Sequence, residues 1–247
     1  AGSPACAGGG TSWQNGRLYD NQADYLEGDS VPYRLKLNNL ALVHPVTGTP
    51  LVHRVTIAWD TTKNDKHALD YITTYNRTVL GADPCSEIPG DHCDATREFE
   101  TENIPLDPKV GAGPDGTPGT SDDIVQVPGV FTLFGGTITA ITFPPTVSPQ
   151  PPSPPVSPYA ISTSNQCGNN TGTYAGDSTT CVTIDFVATV TNPVLAWAGH
   201  IATRKDWGTN LSAIKISGSP FHTRFIDLDG GGGDQDRGVR ARAVFFP

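Results

Sequence analysis

Two stretches of the chain crowd carboxylates between glycines, and crowded carboxylates repel unless a cation sits among them. The first is Asp107-Pro-Lys-Val-Gly-Ala-Gly-Pro-Asp115-Gly-Thr-Pro-Gly-Thr-Ser-Asp122-Asp123. Asp107, Asp115, Asp122 and Asp123 would give a hard cation many oxygen ligands, and Ca2+ suits that set best. The spacing is not that of an EF-hand, so no helix–loop–helix is implied. The second is Asp227-Leu-Asp229-Gly-Gly-Gly-Gly-Asp234-Gln-Asp236. Asp227 and Asp229 open it in the manner of a calcium turn. The competing reading of both stretches is a solvated turn or hairpin connection that needs no metal.

Histidines offer a different chemistry. If His67, His200 and His222 converged, three imidazoles would bind Zn2+ and leave a position open for water, with Asp70 or Asp206 as base. No HExxH or GxSxG motif accompanies them. Isolated histidines in strands more often end as satisfied structural groups, so no enzymatic activity is expected. Of the four tryptophans, Trp59 and Trp197 sit within strand patterns and should pack in the core. Trp13 and Trp207 flank glycine or asparagine turns and are the better candidates for an exposed platform that stacks on sugar rings.

The five cysteines are Cys6, Cys85, Cys93, Cys167 and Cys181. Spacing favours Cys85–Cys93 and Cys167–Cys181 bridges, each closing a turn-rich loop of the kind found in secreted proteins. Neither pair has the CxxC spacing of a metal site. Cys6 is left over, either free or bridged to another subunit. Asn76, Asn169 and Asn210 each begin an N-x-S/T sequon, so a glycoprotein is one expectation.

Behind these groups stands a chain with little appetite for helix. Glycine and proline supply 27 and 22 of its 247 residues, and both are poor in helix interiors. Threonine, which favours strands, occurs 29 times. Acids number 20 Asp against 5 Glu, and Asp suits turns rather than helix faces. The net charge of −9 disfavours a nucleic-acid partner, and no apolar run is long enough for a membrane span. The chain contains no Met, which fits a mature chain trimmed after export.

Period-two patterning marks about ten strands. They are Ser30–Leu37, Leu51–Trp59, Ile124–Val127, Val130–Phe134, Thr137–Phe143, Cys181–Val190, Val194–Trp197, Ala213–Ser217, Phe221–Leu228 and Val239–Phe246. His67–Tyr75 breaks the period, and Ala68, Tyr71, Ile72 and Tyr75 would share a helical face, which predicts one short helix. The fold class is therefore all-β, an antiparallel β-sandwich of jelly-roll or immunoglobulin-like form with long loops. Residues 1–12 read as a flexible arm and 13–247 as a single sandwich domain. Positions 144–158 hold eight prolines and form a Pro-rich excursion in polyproline II form.

Several phrases together carry a resemblance: Tyr25-Leu-Glu-Gly-Asp-Ser-Val-Pro-Tyr-Arg34, Ala196-Trp-Ala-Gly-His-Ile-Ala202, Ser217-Gly-Ser-Pro-Phe-His222, and shorter ones at Trp13, Lys66, Phe131 and Gln235. They resemble an uncharacterised β-rich module of large secreted bacterial surface proteins, often placed ahead of immunoglobulin-like or prealbumin-like repeats. The resemblance implies an exported, cell-surface, structural or adhesive role and supplies no catalytic residues. The leading expectation is an extracellular structural subunit that polymerises with itself into a filament or surface layer by β-strand addition, with an arm or the 239–246 strand as donor. The alternative is a carbohydrate-binding or adhesive module that meets surface glycans.

Overall fold

The computed structural model describes residues 13–88, 93, 96–145, 147–148, 157–163, 167–232 and 235–245. Cys6 and the arm lie outside the described residues, as does most of the Pro-rich excursion. The strands in chain order are β1 (Tyr25–Leu26), β2 (Ser30–Lys36), β3 (Val52–Lys63), β4 (Lys66–His67), β5 (Leu69–Thr73), β6 (Phe99–Asn103), β7 (Val130–Phe134), β8 (Gly136–Thr142), β9 (Ala160–Ser162), β10 (Ser178–Ala188), β11 (Val194–Ile201), β12 (Phe221–Leu228), β13 (Gln235–Val239) and β14 (Val244–Phe245). Two single-turn helices, α1 (Pro108–Gly111) and α2 (Arg204–Trp207), interrupt them.

The architecture is an all-β sandwich, as the alternation predicts. One sheet runs β13-β12-β3-β10-β8, with β4 beside β3 and β9 beside β10. The other runs β2-β11-β7-β6, with β5 also on β11. A small parallel pair, β1 and β14, stands apart. Alternate residues turn inward from both sheets: Val55, Ile57 and Trp59 of β3, Val182, Ile184 and Phe186 of β10, Tyr33 of β2 and Trp197 of β11 all join one apolar cluster. The chain passes from one sheet to the other at Gly135, between β7 and β8. Its φ of 77° and the Val190 methyl 2.3 Å from where a Cβ would stand leave room only for glycine.

Both outer faces are partly covered, and the disulfides hold the covers. Cys85–Cys93 forms, with Cα atoms 5.9 Å apart, and packs with Phe134 and Val194 on the outside of β7 and β11. Cys167–Cys181 forms, at 6.0 Å, and packs with Ala58, Phe143, Val147 and Ala160 on the outside of β3 and β10. The many threonines find their place in this second layer. Thr56 and Thr183 face each other there across β3 and β10 with hydroxyls 2.9 Å apart, and Thr62 meets Ser178 at 2.6 Å, while Thr61 bonds Thr180 on the inward face beside Trp59.

Four expectations need correction. His67–Tyr75 is not a helix: it supplies β4 and β5. Every residue of β5 is buried, because the core covers one face and the cluster of Val110, Ile124 and Trp207 covers the other. A strand buried on both faces loses its alternation, and the helical spacing was coincidence. Ile124–Val127 is not a strand. The Gln126 side chain replaces a strand partner, accepting from the Asp107 N–H at 3.0 Å and donating to the Asp107 carbonyl at 2.7 Å. Ala213–Ser217 begins as a 3-10 turn over Ala213–Lys215. Val239–Phe246 is broken by another over Ala241–Ala243, and Ala243 and Val244 are both buried, which no alternating strand permits.

Candidate functional site

The two sheets leave a gap where edge strand β2 faces edge strand β13. Leu37 donates its N–H to the Pro193 carbonyl at 3.0 Å, so the odd-numbered peptide groups of β2 turn to β11. The even-numbered ones turn outward. Ser30 N–H is met by Thr78 Oγ1 at 2.8 Å, Pro32 has no N–H, and Arg34 and Lys36 present theirs along the open edge.

Residues 13–18 go partway into this gap. Leu18, fully buried, donates to the Gly238 carbonyl at 2.8 Å and accepts from the Arg240 N–H at 3.1 Å, alongside the end of β13. Trp13 is fixed by its Nε1–H on the Asp83 carbonyl at 2.7 Å and by the Arg34 guanidinium 4.4 Å from its ring centre. What remains is a groove of about 800 Å3 between β2 and the β12–β13 hairpin. Leu35, Leu37, Phe225 and Leu228 give it an apolar lining, and Arg34, Lys36 and Arg237 stand against a single carboxylate, Glu87. On a chain of net charge −9 this is a locally positive cleft.

The histidines do not share one centre. Asp70, fully buried, accepts from His200 Nδ1–H at 2.7 Å on one oxygen and from Trp207 Nε1–H at 2.9 Å on the other. His200 stacks on Tyr71, and His67 lies flat on Trp207 with centroids 3.4 Å apart. Burial pushes His67 down to about 4, so its ring is neutral at pH 7. His222 belongs to a separate buried group, where Asp60 takes both its ring and the Arg224 guanidinium. Burial alone would raise Asp60, but the hydrogen bonds from His222 and Arg224 outweigh it and hold the carboxyl below its ordinary range. His53 pairs with Asp229 at 2.8 Å. Asp206, the other candidate base, accepts from the Thr203 hydroxyl at 2.7 Å at the start of α2.

The acidic loops divide as well. Asp107 is buried as the N-cap of α1, accepting from Lys109 N–H at 2.9 Å, and burial pushes it up to about 6. Asp115, Asp122 and Asp123 gather without it around Thr120, whose hydroxyl lies 2.7 Å from Asp122 and 3.4 Å from each of the others. Asp229 sits at φ 55° and also accepts from Arg54 N–H at 2.8 Å, while Asp227 accepts from Gly230 N–H at 3.4 Å. Among the described residues, no group of three or more His, Cys, Asp or Glu is disposed to hold a metal ion.

Trp59 and Trp197 are core residues, as expected. Trp207 is not exposed: Thr203 caps α2, and that turn carries the indole down onto Asp70, leaving it 3% accessible. Only Trp13 remains near the surface, half-buried on Arg34. Asn169 and Asn210 are exposed, and Asn76 is half-exposed. Sequence reasoning missed β6 altogether. Its five residues, Phe-Glu-Thr-Glu-Asn, are all exposed, and among the described residues it pairs only with β7. The one available signal was that Glu98, Glu100 and Glu102 are three of the chain's five glutamates. Among the described residues, no helix is long and apolar enough to cross a membrane. Compared with known proteins, the chain matches no family model, no curated protein and no solved structure.

Proposed function

We propose that this chain is an extracellular structural subunit, without enzymatic activity, that assembles with itself into a filament or surface layer by β-strand addition. The observation that carries the reading is the groove between β2 and β13, where an open strand edge borders a positively charged cleft with apolar patches. An added strand would gain main-chain hydrogen bonds from Arg34 and Lys36 and bury its alternate side chains on Leu35, Leu37, Phe225 and Leu228. Two disulfides suit an oxidising compartment and an extracellular location. Electron microscopy of native material is the test. Ordered polymers or sheets are expected, and only dispersed monomers at high concentration would reject the reading.

Calcium belongs to the same proposal. Backbone N–H groups of Asp115, Thr117, Gly119 and Thr120 and the Thr120 hydroxyl already bond Asp115, Asp122 and Asp123, and a Ca2+ ion that drew the three carboxylates together would offset their remaining mutual repulsion. A chelator is expected to lower the melting temperature, since a ligand bound only by the native state stabilises it. An identical melting curve with and without chelator rejects calcium.

A further inference from the structure

Accepting assembly by strand addition, we infer that the strand entering the groove is β6 of a second copy, so that one sheet runs on from subunit to subunit. β2 and β6 are the two edges of the same sheet. Successive pairs β2–β11, β11–β7 and β7–β6 are all antiparallel, so β2 and β6 run in opposite directions. Translating one copy along its sheet therefore lays β6 antiparallel to the neighbour's β2, with inner and outer faces preserved.

The hydrogen-bonding positions agree. Ile104 donates to the Gly129 carbonyl and Gly135 to the Glu98 carbonyl, so the even-numbered peptide groups of β6 face β7. Phe99, Thr101 and Asn103 then face outward, toward the outward groups of Arg34 and Lys36 on the neighbour's β2.

Charge selects this occupant. Glu100 and Glu102 are register partners of Leu133 and Phe131, so they share the inward face of the sheet. On the neighbour that face opens into the groove, where, among the described residues, Arg237 bonds two uncharged partners, the Asp236 carbonyl and the Asn15 side chain. Phe99, 56% exposed, lies on the outer face and would come beside Arg34 and Lys36. The contact joins two different edges, so it does not close on itself and generates an open filament.

The test uses the full chain with Glu102→Arg and Arg237→Glu, each confirmed folded by its melting curve and each followed by sedimentation and electron microscopy. Each variant alone is expected to lose pelletable polymer, because like charges meet at every junction. An equimolar mixture is expected to recover it, because every alternating junction then pairs opposite charges. Assembly by either variant at the wild-type level, or no recovery in the mixture, overturns the β6 pairing and leaves the filament reading standing. A wild-type chain that never assembles overturns both. Deleting residues 1–12 is expected to leave assembly intact, and its loss would give the groove to the arm instead.

Discussion

His200 donates its Nδ1–H to Asp70 across 2.7 Å, and the other Asp70 oxygen holds the indole N–H of Trp207. One buried carboxylate thus ties β5 to β11 and to α2. Asp70→Asn keeps the shape but replaces an acceptor oxygen with an NH2 group, which must then confront either the Trp207 indole N–H or the Tyr71 backbone N–H, since a neutral His200 can turn an unprotonated Nδ1 toward it but these two cannot. A donor left without an acceptor in a dry interior costs about 1–3 kcal/mol. The urea midpoint is expected to fall accordingly. A change within about 0.5 kcal/mol would show that the pair contributes nothing.

Two nearby groups should give opposing pH dependences. The Asp107 pKa is raised from 3.8 to about 6, so its native form holds the proton more tightly than the unfolded chain does. That contribution is fully present below pH 3.8 and is lost as pH rises through about 6. His67 is lowered from 6.5 to about 4, so its contribution is present above 6.5 and is lost as pH falls through about 4. Each spans about 3 kcal/mol, and the two largely cancel between pH 4 and 6. His67→Gln is expected to leave a protein whose melting temperature rises on acidification across that window. Asp107→Asn preserves the helix cap and is expected to leave one whose melting temperature falls. Parallel profiles for the two variants would contradict both assignments.

Gly135 carries the chain from one sheet to the other. A Cβ there would both strain a φ of 77° and strike Val190. Gly135→Ala is expected to cost about 1–3 kcal/mol, read from chemical denaturation. Pairing it with Val190→Ala should return the steric part and leave the dihedral part.

What could be read from the sequence depended on residue type rather than exposure. β2, β3 and β10 set apolar core residues against Arg, Lys, Thr or Asp on the outer face, which stays legible even where a cover buries that face, and their expected bounds fall within a few residues of those observed. β5 carries apolar Leu69, Tyr71 and Ile72 on both faces, which erases the alternation, and β6 has no buried face to mark it. Close cysteine spacing gave both bridges, since short loops limit the choice of partner. The groove could not be read at all. It is assembled from residues near 13, 35, 87, 228 and 237, and only the pairing of distant strands brings them together.

The Cys85–Cys93 bridge holds the loop on which Trp13 rests, through the Asp83 carbonyl and the Glu87 carboxylate that accepts the Trp13 N–H at 3.1 Å. A loop of this length contributes about 2–3 kcal/mol when crosslinked. The double variant Cys85→Ser with Cys93→Ser is expected to lose that much stability. It should also free the only tryptophan that is not deeply buried, since Trp59, Trp197 and Trp207 stay in place. Intrinsic fluorescence should therefore shift to the red and become more quenchable by iodide while the far-UV spectrum stays unchanged. The Cys167–Cys181 bridge lies over Ala58 and Phe143 on the other sheet. Its Ser variants should lose similar stability with no change at Trp13. Equal fluorescence shifts from the two pairs would show that the wall of the groove does not depend on the first bridge.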